Sequence, residues 1–342
     1  MPDTTTQMRR EIEEIPDAVA RLLDQGAADT RAVAAEIARR DPRFLLSVAR
    51  GSSDHACTYL KYASELLFGL PMASVGPSVA SIYGAPLKAN GTLCLAISQS
   101  GQSPDIVDLT RNIRESGAYA VAITNDTSSP LAEAASATLG QHAGPEISVA
   151  ATKSFVTSLV AGLWVMAEWK RDEALLEAIH ALPELLDKAT RCDWSAVIEA
   201  ITGDDLFTLG RGPSWAISNE AALKFKETCR IHAESYSSAE VLHGPVEILR
   251  NGFPVIGFAA ADKAESALVE VAEGLAEKGA RVFVTSDKVT KAERLDHVRS
   301  KHWLTDPIPL MVSFYGMVEQ VAVRRGFNPD VPRNLTKVTV TR

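Results

Sequence analysis

The sequence predicts an α/β protein built from two copies of one fold, each a parallel sheet with helices on both faces in three layers. Short apolar runs alternate along the chain with helical patterns, which is typical of parallel sheets covered by helices. Residues 46–53, 94–97 and 121–126 also match residues 207–214, 255–258 and 282–287 at one constant offset. Three matches at one offset indicate an internal duplication.

The bulk composition fits a two-domain protein with complete cores. The chain has 342 residues, of which 46% are hydrophobic and 23% charged, and its net charge of −8 argues against a nucleic-acid partner. The longest apolar run, near residues 158–169, is too short to span a membrane. The four scattered cysteines fit free thiols, so we expect a cytoplasmic protein.

The elements follow in order along the chain. The predicted helices of the first half are 7–40 (divided at Pro16), 54–68, from Pro104 to about 114, and 153–178. Its predicted strands are 44–49, 93–97 and 118–124, and in the second half we place His232 within a helix. We therefore expect an N-terminal helical segment at 1–40, a first domain at 41–185, a second at 195–330 and a C-terminal tail at 331–342 that closes over the site.

A polar loop links the buried strand at 93–97 to the helix that opens at Pro104. It contains Ser98, Gln99, Ser100 and Ser103 around Gly101. Hydroxyl donors beside a helix N-terminus suit a phosphate group, although an ordinary polar loop with a capping serine has the same pattern. The corresponding stretch of the second copy, 259–264, reads Ala-Ala-Ala-Asp-Lys-Ala. Both copies would need the serines if the fold alone required them, so this difference favours a phosphate site.

Three further positions are candidates for acid–base chemistry. Lys224 and Glu227 share one helix face with Glu220, which fits either a proton-transfer base beside a lysine or a surface ladder of ion pairs. His243 precedes Gly-Pro, so it lies on a turn where it either exchanges protons or only holds the loop. Lys337 lies in the apolar tail, which either folds over a site or is a disordered end.

These residues belong to a set of motifs that covers the chain from about residue 50 to 337. The motifs are Arg50-Gly-Ser-Ser53, Ser98-Gln-Ser-Gly101, Val149-Ala-Ala-Thr-Lys153, Gly210-Arg-Gly212, Ala222-Leu-Lys-Phe-Lys-Glu227, Ile231-His-Ala-Glu234, His243-Gly-Pro245 and Pro332-Arg-Asn-Leu-Thr-Lys337. Because it contains these motifs in this order, the chain resembles the sugar isomerase (SIS) superfamily, with two SIS domains in tandem. It is similar to the isomerase half of glucosamine-6-phosphate synthases. Residues 51–56 and 77–84 also resemble stand-alone SIS-type glucosamine-6-phosphate deaminases.

The resemblance implies a role for each matched residue. The residues that it implies bind the phosphosugar are Ser52, Ser53, Ser98, Gln99, Ser100, Ser103 and the backbone of Val149. It further implies that Glu227 moves a proton between C1 and C2, and that Lys224 and Lys337 lie at the reacting oxygens or nitrogen. His243 would come from the neighbouring subunit and assist ring opening, which requires a homodimer. No metal or organic cofactor is implied.

The chain departs from the synthase pattern in ways that bear on its reaction. Only helical sequence precedes residue 40, so we expect no glutamine hydrolysis; Thr336 replaces an alanine and Ala151 a serine. Our first hypothesis is the conversion of glucosamine-6-phosphate and water to fructose-6-phosphate and ammonia. The alternatives are an aminotransferase-type isomerase without its glutaminase, a fructosyl-amino acid 6-phosphate deglycase and a non-catalytic sugar-phosphate sensor.

Overall fold

The computed structural model describes residues 5–337, so the last part of the predicted tail, 338–342, lies outside the described residues. Within that range the chain forms two compact units. The first-sheet unit contains residues 17–146, 153–180 and 336–337. The second-sheet unit contains residues 5–16, 147–152 and 181–335. The domain boundaries expected from the sequence stay a prediction.

The first-sheet unit contains a five-stranded parallel sheet with the order β2-β1-β3-β4-β5. Its strands are β1 (Leu45–Val48), β2 (Met72–Ser74), β3 (Leu93–Ser98), β4 (Tyr119–Thr124) and β5 (Ala137–Gly140). Strands β1, β3 and β4 are buried along almost their whole length. Continuous burial is what a parallel sheet covered on both faces requires, and it explains the apolar runs in the sequence.

The second-sheet unit repeats this topology with the order β7-β6-β8-β9-β10. Its strands are β6 (Asp205–Gly210), β7 (His232–Ser237), β8 (Pro254–Phe258), β9 (Arg281–Val284) and β10 (Glu293–Arg294). The glycine before the first helix of each copy has the same backbone conformation, with φ 54° and ψ −132° at Gly51 and φ 58° and ψ −136° at Gly212. The predicted fold class and the duplication are confirmed.

Helices cover both faces of each sheet. In the N-terminal half of the chain they are α1 (Gln7–Glu13), α2 (Ile15–Gln25), α3 (Ala27–Arg40), α4 (Ser52–Phe68), α5 (Ser78–Ser81), α6 (Pro104–Glu115), α7 (Pro130–Ala134), α8 (Lys153–Lys170) and α9 (Glu173–His180). In the C-terminal half they are α10 (Leu182–Ala189), α11 (Ser195–Ala200), α12 (Pro213–Lys224), α13 (Glu265–Glu277) and α14 (Pro307–Arg324). No helix among residues 5–337 combines the length and apolar character that crossing a bilayer requires.

Two sequence-based expectations about local structure are wrong. The long helix expected at 153–178 is two helices, α8 and α9, because Arg171 adopts a left-handed φ of 57° and the Asp172 carboxylate then accepts the Leu175 N–H at 3.0 Å, which caps α9. His232, which we placed in a helix, opens strand β7 and pairs with Asp205 of β6. The helix before it ends at Arg230, which also has a left-handed φ, of 54°.

Candidate active site

The serine loop, residues 98–103, joins β3 to α6 at the carboxyl edge of the first sheet. Its four predicted ligands, Ser98, Gln99, Ser100 and Ser103, are half-buried. The Ser98 hydroxyl accepts the Gly101 N–H at 3.2 Å, and the Ser100 hydroxyl accepts the Gln102 N–H at 3.3 Å. Because each hydroxyl is used there as an acceptor, its proton remains to be donated to an anion.

The neighbouring loop after β4 fixes the backbone of the serine loop. The Gln99 carbonyl accepts the Asn125 N–H at 3.1 Å, and the Gly101 carbonyl accepts the Leu131 N–H at 3.1 Å. Gly101 has a φ of +63°, and a Cβ at this position would lie 2.1 Å from the Ser129 hydroxyl oxygen. The sequence therefore needs a glycine here for two reasons, the backbone conformation and the close packing.

Ser52 and Ser53 lie in the first turn of α4, which follows β1. Strand β1 pairs directly with β3, so their carboxyl ends are neighbours and these two serines lie at the same sheet edge as the serine loop. Arg50, between β1 and α4, donates to the Asp105 carboxylate at 2.9 and 3.2 Å. The sequence analysis did not assign this cation, although Arg50 is part of the repeated Arg-Gly motif.

Asn125 also connects the serine loop to the segment that follows β5. Its side-chain oxygen accepts the Ala143 N–H at 2.9 Å, and its side-chain nitrogen donates to the Gly144 carbonyl at 2.8 Å. Two residues later the Glu146 carboxylate accepts a bond from the Lys337 ammonium at 3.0 Å. The predicted catalytic lysine of the tail is therefore held in the first-sheet unit by a carboxylate that the sequence analysis missed.

Glu220, Lys224 and Glu227 form a buried cluster in the second-sheet unit. The Lys224 ammonium lies 3.3 Å from Glu220 and also bonds Glu227, and the side chains of Lys224 and Glu220 are both 0% exposed. The hydroxyl of Tyr315 on α14 donates to Glu220 at 3.3 Å. This burial excludes the surface ladder of ion pairs that the spacing alone allowed.

The two carboxylates determine the charge of Lys224. Burial alone would lower the pKa of Lys224, but the negative charges of Glu220 and Glu227 outweigh it and hold this pKa above its ordinary value. Lys224 is therefore a permanent ammonium at neutral pH. It suits stabilising negative charge on a substrate oxygen, and it does not suit acting as a base.

Glu227 is the member of the cluster that reaches solvent, with a side chain that is 20% exposed. It lies in a single π-helical turn, Phe225–Cys229, that continues α12. Such turns are rare and occur frequently at functional sites. The sequence pattern predicted an ordinary helix here, and no local signal distinguishes the two.

His243 ends a 3₁₀ turn, Glu240–His243, and its side chain is exposed. The following Gly244 has a φ of 139°, which only glycine adopts without strain. His243 lies beside a shallow groove of the second-sheet unit that Arg211, Leu242 and Lys278 also line. Its exposure leaves the ring accessible to solvent or to another chain.

Val149 belongs to the second-sheet unit, as do Lys224, Glu227 and His243. Its N–H donates to the Asp330 carbonyl at 3.2 Å, which leaves its own carbonyl as the backbone group for a ligand. The Glu11 carboxylate of α1 holds the same segment by accepting the N–H groups of Ile147 and Ser148. Among residues 5–337 no cluster of three or more His, Cys, Asp or Glu side chains has a metal-binding arrangement.

Comparisons with known proteins agree with the duplicated fold. The sequence pattern of the SIS domain matches residues 40–167 and residues 203–324. These two matches cover well over half of the chain, which therefore belongs to the SIS domain family.

The similar proteins include relatives by sequence and proteins of known structure. The chain is 31% identical to the isomerizing glutamine–fructose-6-phosphate aminotransferase of Sulfurisphaera tokodaii, over 98% of the chain and 56% of that protein. The chain thus spans just over half the length of this relative. A structure from Silicibacter pomeroyi, of a protein provisionally named a phosphosugar isomerase, shares 62% identity with a TM-score of 0.93 and covers 95% of this chain and 100% of its own. The glucosamine-6-phosphate deaminase of Thermotoga maritima shares the fold, with a TM-score of 0.79, 20% identity and coverage of 98% of this chain and 100% of its own.

Proposed function

We propose that this chain is a phosphosugar isomerase that deaminates glucosamine-6-phosphate to fructose-6-phosphate and ammonia. The observation that carries the proposal is the buried Glu220–Lys224–Glu227 cluster, from which one carboxylate reaches solvent beside a permanent cation. A non-catalytic sugar-phosphate sensor would not need such a pair, because binding alone does not need a proton acceptor.

The proposed reaction moves one proton and replaces one nitrogen with oxygen. In the open-chain sugar, Glu227 removes the proton from C2 while the aldehyde oxygen at C1 gains a proton, and the product is an enolamine. Lys224 stabilises the negative charge that develops on this oxygen. Return of the proton from Glu227 to C1, with loss of one amino proton to solvent, gives the imine at C2. Water then adds to this carbon and ammonia leaves. A group placed for proton transfer contributes about 10²–10⁴-fold to the rate.

The phosphate group is proposed to bind the serine loop. The protons of the Ser98 and Ser100 hydroxyls are available for donation, and α6 begins directly after Ser103. Ser103 occupies the N-cap position of α6 without a side-chain capping bond, so its hydroxyl is also available to a ligand. Several donors at a helix N-terminus bind a phosphate without a lysine in the loop.

The same residues can run the reaction in the synthetic direction, and this is the second candidate function. It is favoured by the S. tokodaii relative, whose name specifies amino transfer to fructose-6-phosphate. The deaminase direction is favoured by residues 51–56 and 77–84, which resemble the stand-alone deaminases. In the synthetic direction this chain would use free ammonia or a partner protein that supplies it.

His243 is proposed to act in the active site of a second subunit, so that the active species is a homodimer. The ring is exposed on its turn, and the adjacent Leu242 and the nearby Ile248 are exposed apolar residues, at 49% and 57%. Exposed apolar side chains around a histidine fit a surface that another chain covers. Sedimentation should show a dimer, and a fully active monomer would contradict this part of the proposal.

The experiment is to supply glucosamine-6-phosphate and measure ammonia and fructose-6-phosphate together. We expect equal amounts of both, and we expect Glu227→Gln to lower kcat by about 10²–10⁴-fold without weakening sugar-phosphate binding. Glu277→Gln, on the exposed face of α13, is the control and should match the wild type. Sugar-phosphate binding without ammonia would reject the deaminase and lead to tests of fructosyl-amino acid phosphates and of synthesis from free ammonia. Full turnover by Glu227→Gln would reject its role as the proton acceptor.

A further inference from the structure

Glu146 is a buried carboxylate with an unusual combination of partners. Its side chain is 0% exposed and contacts Lys337, which is 25% exposed, at 3.0 Å. The same carboxylate accepts the backbone N–H of Ser154 at 3.0 Å and the Ser154 hydroxyl at 2.6 Å. A charge buried this deeply is tolerated only with such partners.

The partners on α8 hold the carboxylate independently of Lys337. Ser154 is the second residue of α8, so Glu146 lies at the N-terminus of an 18-residue helix, where the unpaired N–H groups and the helix dipole favour negative charge. The carboxylate therefore has a fixed position and a compensated charge before the tail lysine binds. Lys337 can therefore bind and leave reversibly, because the Glu146 carboxylate keeps its Ser154 partners when the lysine is away.

The acceptor lies at the sheet edge that carries the serine loop. Strands β3, β4 and β5 are parallel neighbours, and the serine loop, Asn125 and the segment leading to Glu146 follow their carboxyl ends in turn. The bonds from Asn125 to Gln99, Ala143 and Gly144 connect these loops. Docking on Glu146 therefore brings Lys337 to the same edge as the proposed phosphate site.

We propose that Glu146, oriented by Ser154, is the positioning residue that docks Lys337 in the active site. The inference rests on the proposed function, because Lys337 is a reacting-centre residue only in that reaction. Lysine has a long flexible side chain, and a carboxylate that fixes its ammonium removes most of its alternative positions. Glu146 itself takes no part in the chemistry.

The first test compares Glu146→Gln with Glu265→Gln. Glu265 in the second-sheet unit is the control, because its carboxylate also bonds a serine, Ser286, and a lysine, Lys288, with Arg299 as a further partner. We expect Glu146→Gln to lower kcat on the order of 10–100-fold, as misplacement of a reacting group by about 1 Å does, while KM changes little. Glu265→Gln should keep the wild-type kcat. An unchanged kcat in Glu146→Gln would overturn the proposal.

The second test adds Lys337→Ala. If Glu146 acts only through the lysine, introducing Glu146→Gln into Lys337→Ala costs no further rate, because the two changes remove one interaction. A further loss of the same size as in the wild-type background would show that Glu146 has a separate structural or chemical role, and it would refute docking as its function.

A third measurement separates this proposal from the proposed function. Amide hydrogen exchange of residues 331–337 reports tail docking without any turnover, and we expect faster exchange in Glu146→Gln than in the wild type or Glu265→Gln. If the wild type releases no ammonia but this difference is found, the docking contact stands and the deaminase assignment fails. If ammonia is released and exchange is unchanged, the deaminase stands and the docking role of Glu146 is refuted.

Discussion

Replacing Gly101 by alanine tests whether the serine loop is built as the structure shows it. The residue has a φ of +63°, and an L-residue in this left-handed region costs about 1–2 kcal/mol. The new Cβ would also lie 2.1 Å from the Ser129 hydroxyl oxygen and 2.5 Å from its Cβ, far inside ordinary contact. Ser129 is 0% exposed and its hydroxyl caps α7, so it has no free space to move into.

The second contribution to the loss of stability in Gly101→Ala comes from the overlap between the new Cβ and Ser129. Overpacking of a buried position costs about 1–3 kcal/mol, and loss of the Ser129 cap is a further cost of about 1 kcal/mol where the side chain turns away. The matched control is Gly91→Ala, because Gly91 has a φ of +74° but nothing lies within 4 Å of the position that a Cβ would take. It should therefore show the backbone cost alone. We expect Gly101→Ala to lose about 1–3 kcal/mol more than Gly91→Ala.

The assay combines urea unfolding with calorimetric titration of glucosamine-6-phosphate. If the loop keeps its shape, the extra loss is seen in the free energy of unfolding. If the loop shifts to relieve the overlap, the sugar phosphate binds less tightly instead, by about 10–100-fold, since 1.4 kcal/mol corresponds to a factor of ten. Gly101→Ala matching Gly91→Ala in both stability and affinity would refute the packing argument and, with it, the assigned conformation of the loop.

Two more changes test other parts of the site. Lys224→Met leaves the buried Glu220 and the half-buried Glu227 without their cation and should cost about 3–5 kcal/mol in urea unfolding. The exposed pair of Lys188 with Glu184 is the control, for which Lys188→Met should cost no more than about 1 kcal/mol, and equal losses would contradict the buried cluster. Asn125→Ala removes the side-chain bonds to Ala143 and Gly144 and should weaken sugar-phosphate binding in titration calorimetry, whereas affinity equal to that of the wild type would show that these loops hold their positions without it.

The duplication was the part of the fold that the sequence predicted best, because it depends on local pattern. The match between residues 46–53 and 207–214 includes Gly51 and Gly212. Both have the same backbone conformation with a positive φ, so the turn before the first helix requires a glycine in each copy. The strand runs were visible because both faces of a parallel sheet are buried. Helix ends were less visible, since the break at Arg171 depends on a left-handed residue that is neither glycine nor proline.

The nature of the acid–base cluster could not be read from spacing. Glu220, Lys224 and Glu227 have the same intervals in a solvated ion-pair ladder and in a buried one. The packing of α14 distinguishes the buried cluster from the solvated one. Its Tyr315, which lies 95 positions after Glu220 in the chain, donates a hydrogen bond to Glu220. The carboxylate that holds Lys337 was missed for the same reason, since Glu146 and Lys337 are 191 positions apart and no local pattern links them.

In the second copy of the fold, a buried carboxylate binds the loop that corresponds to the serine loop. The loop at 259–264 corresponds to the serine loop, and there the Ala261 N–H donates at 2.6 Å to the carboxylate of Asp306, which is itself 0% exposed and paired with Arg299. A carboxylate oxygen of the chain itself therefore binds the N–H group at the position that corresponds in sequence to Ser100 of the first copy. The two copies of the fold therefore differ in their capacity to bind a ligand. We expect one sugar phosphate to bind per chain, although the two sheets have the same topology. In the second copy an internal carboxylate holds this loop, whereas in the first copy the hydroxyl protons of Ser98 and Ser100 remain for the proposed phosphate.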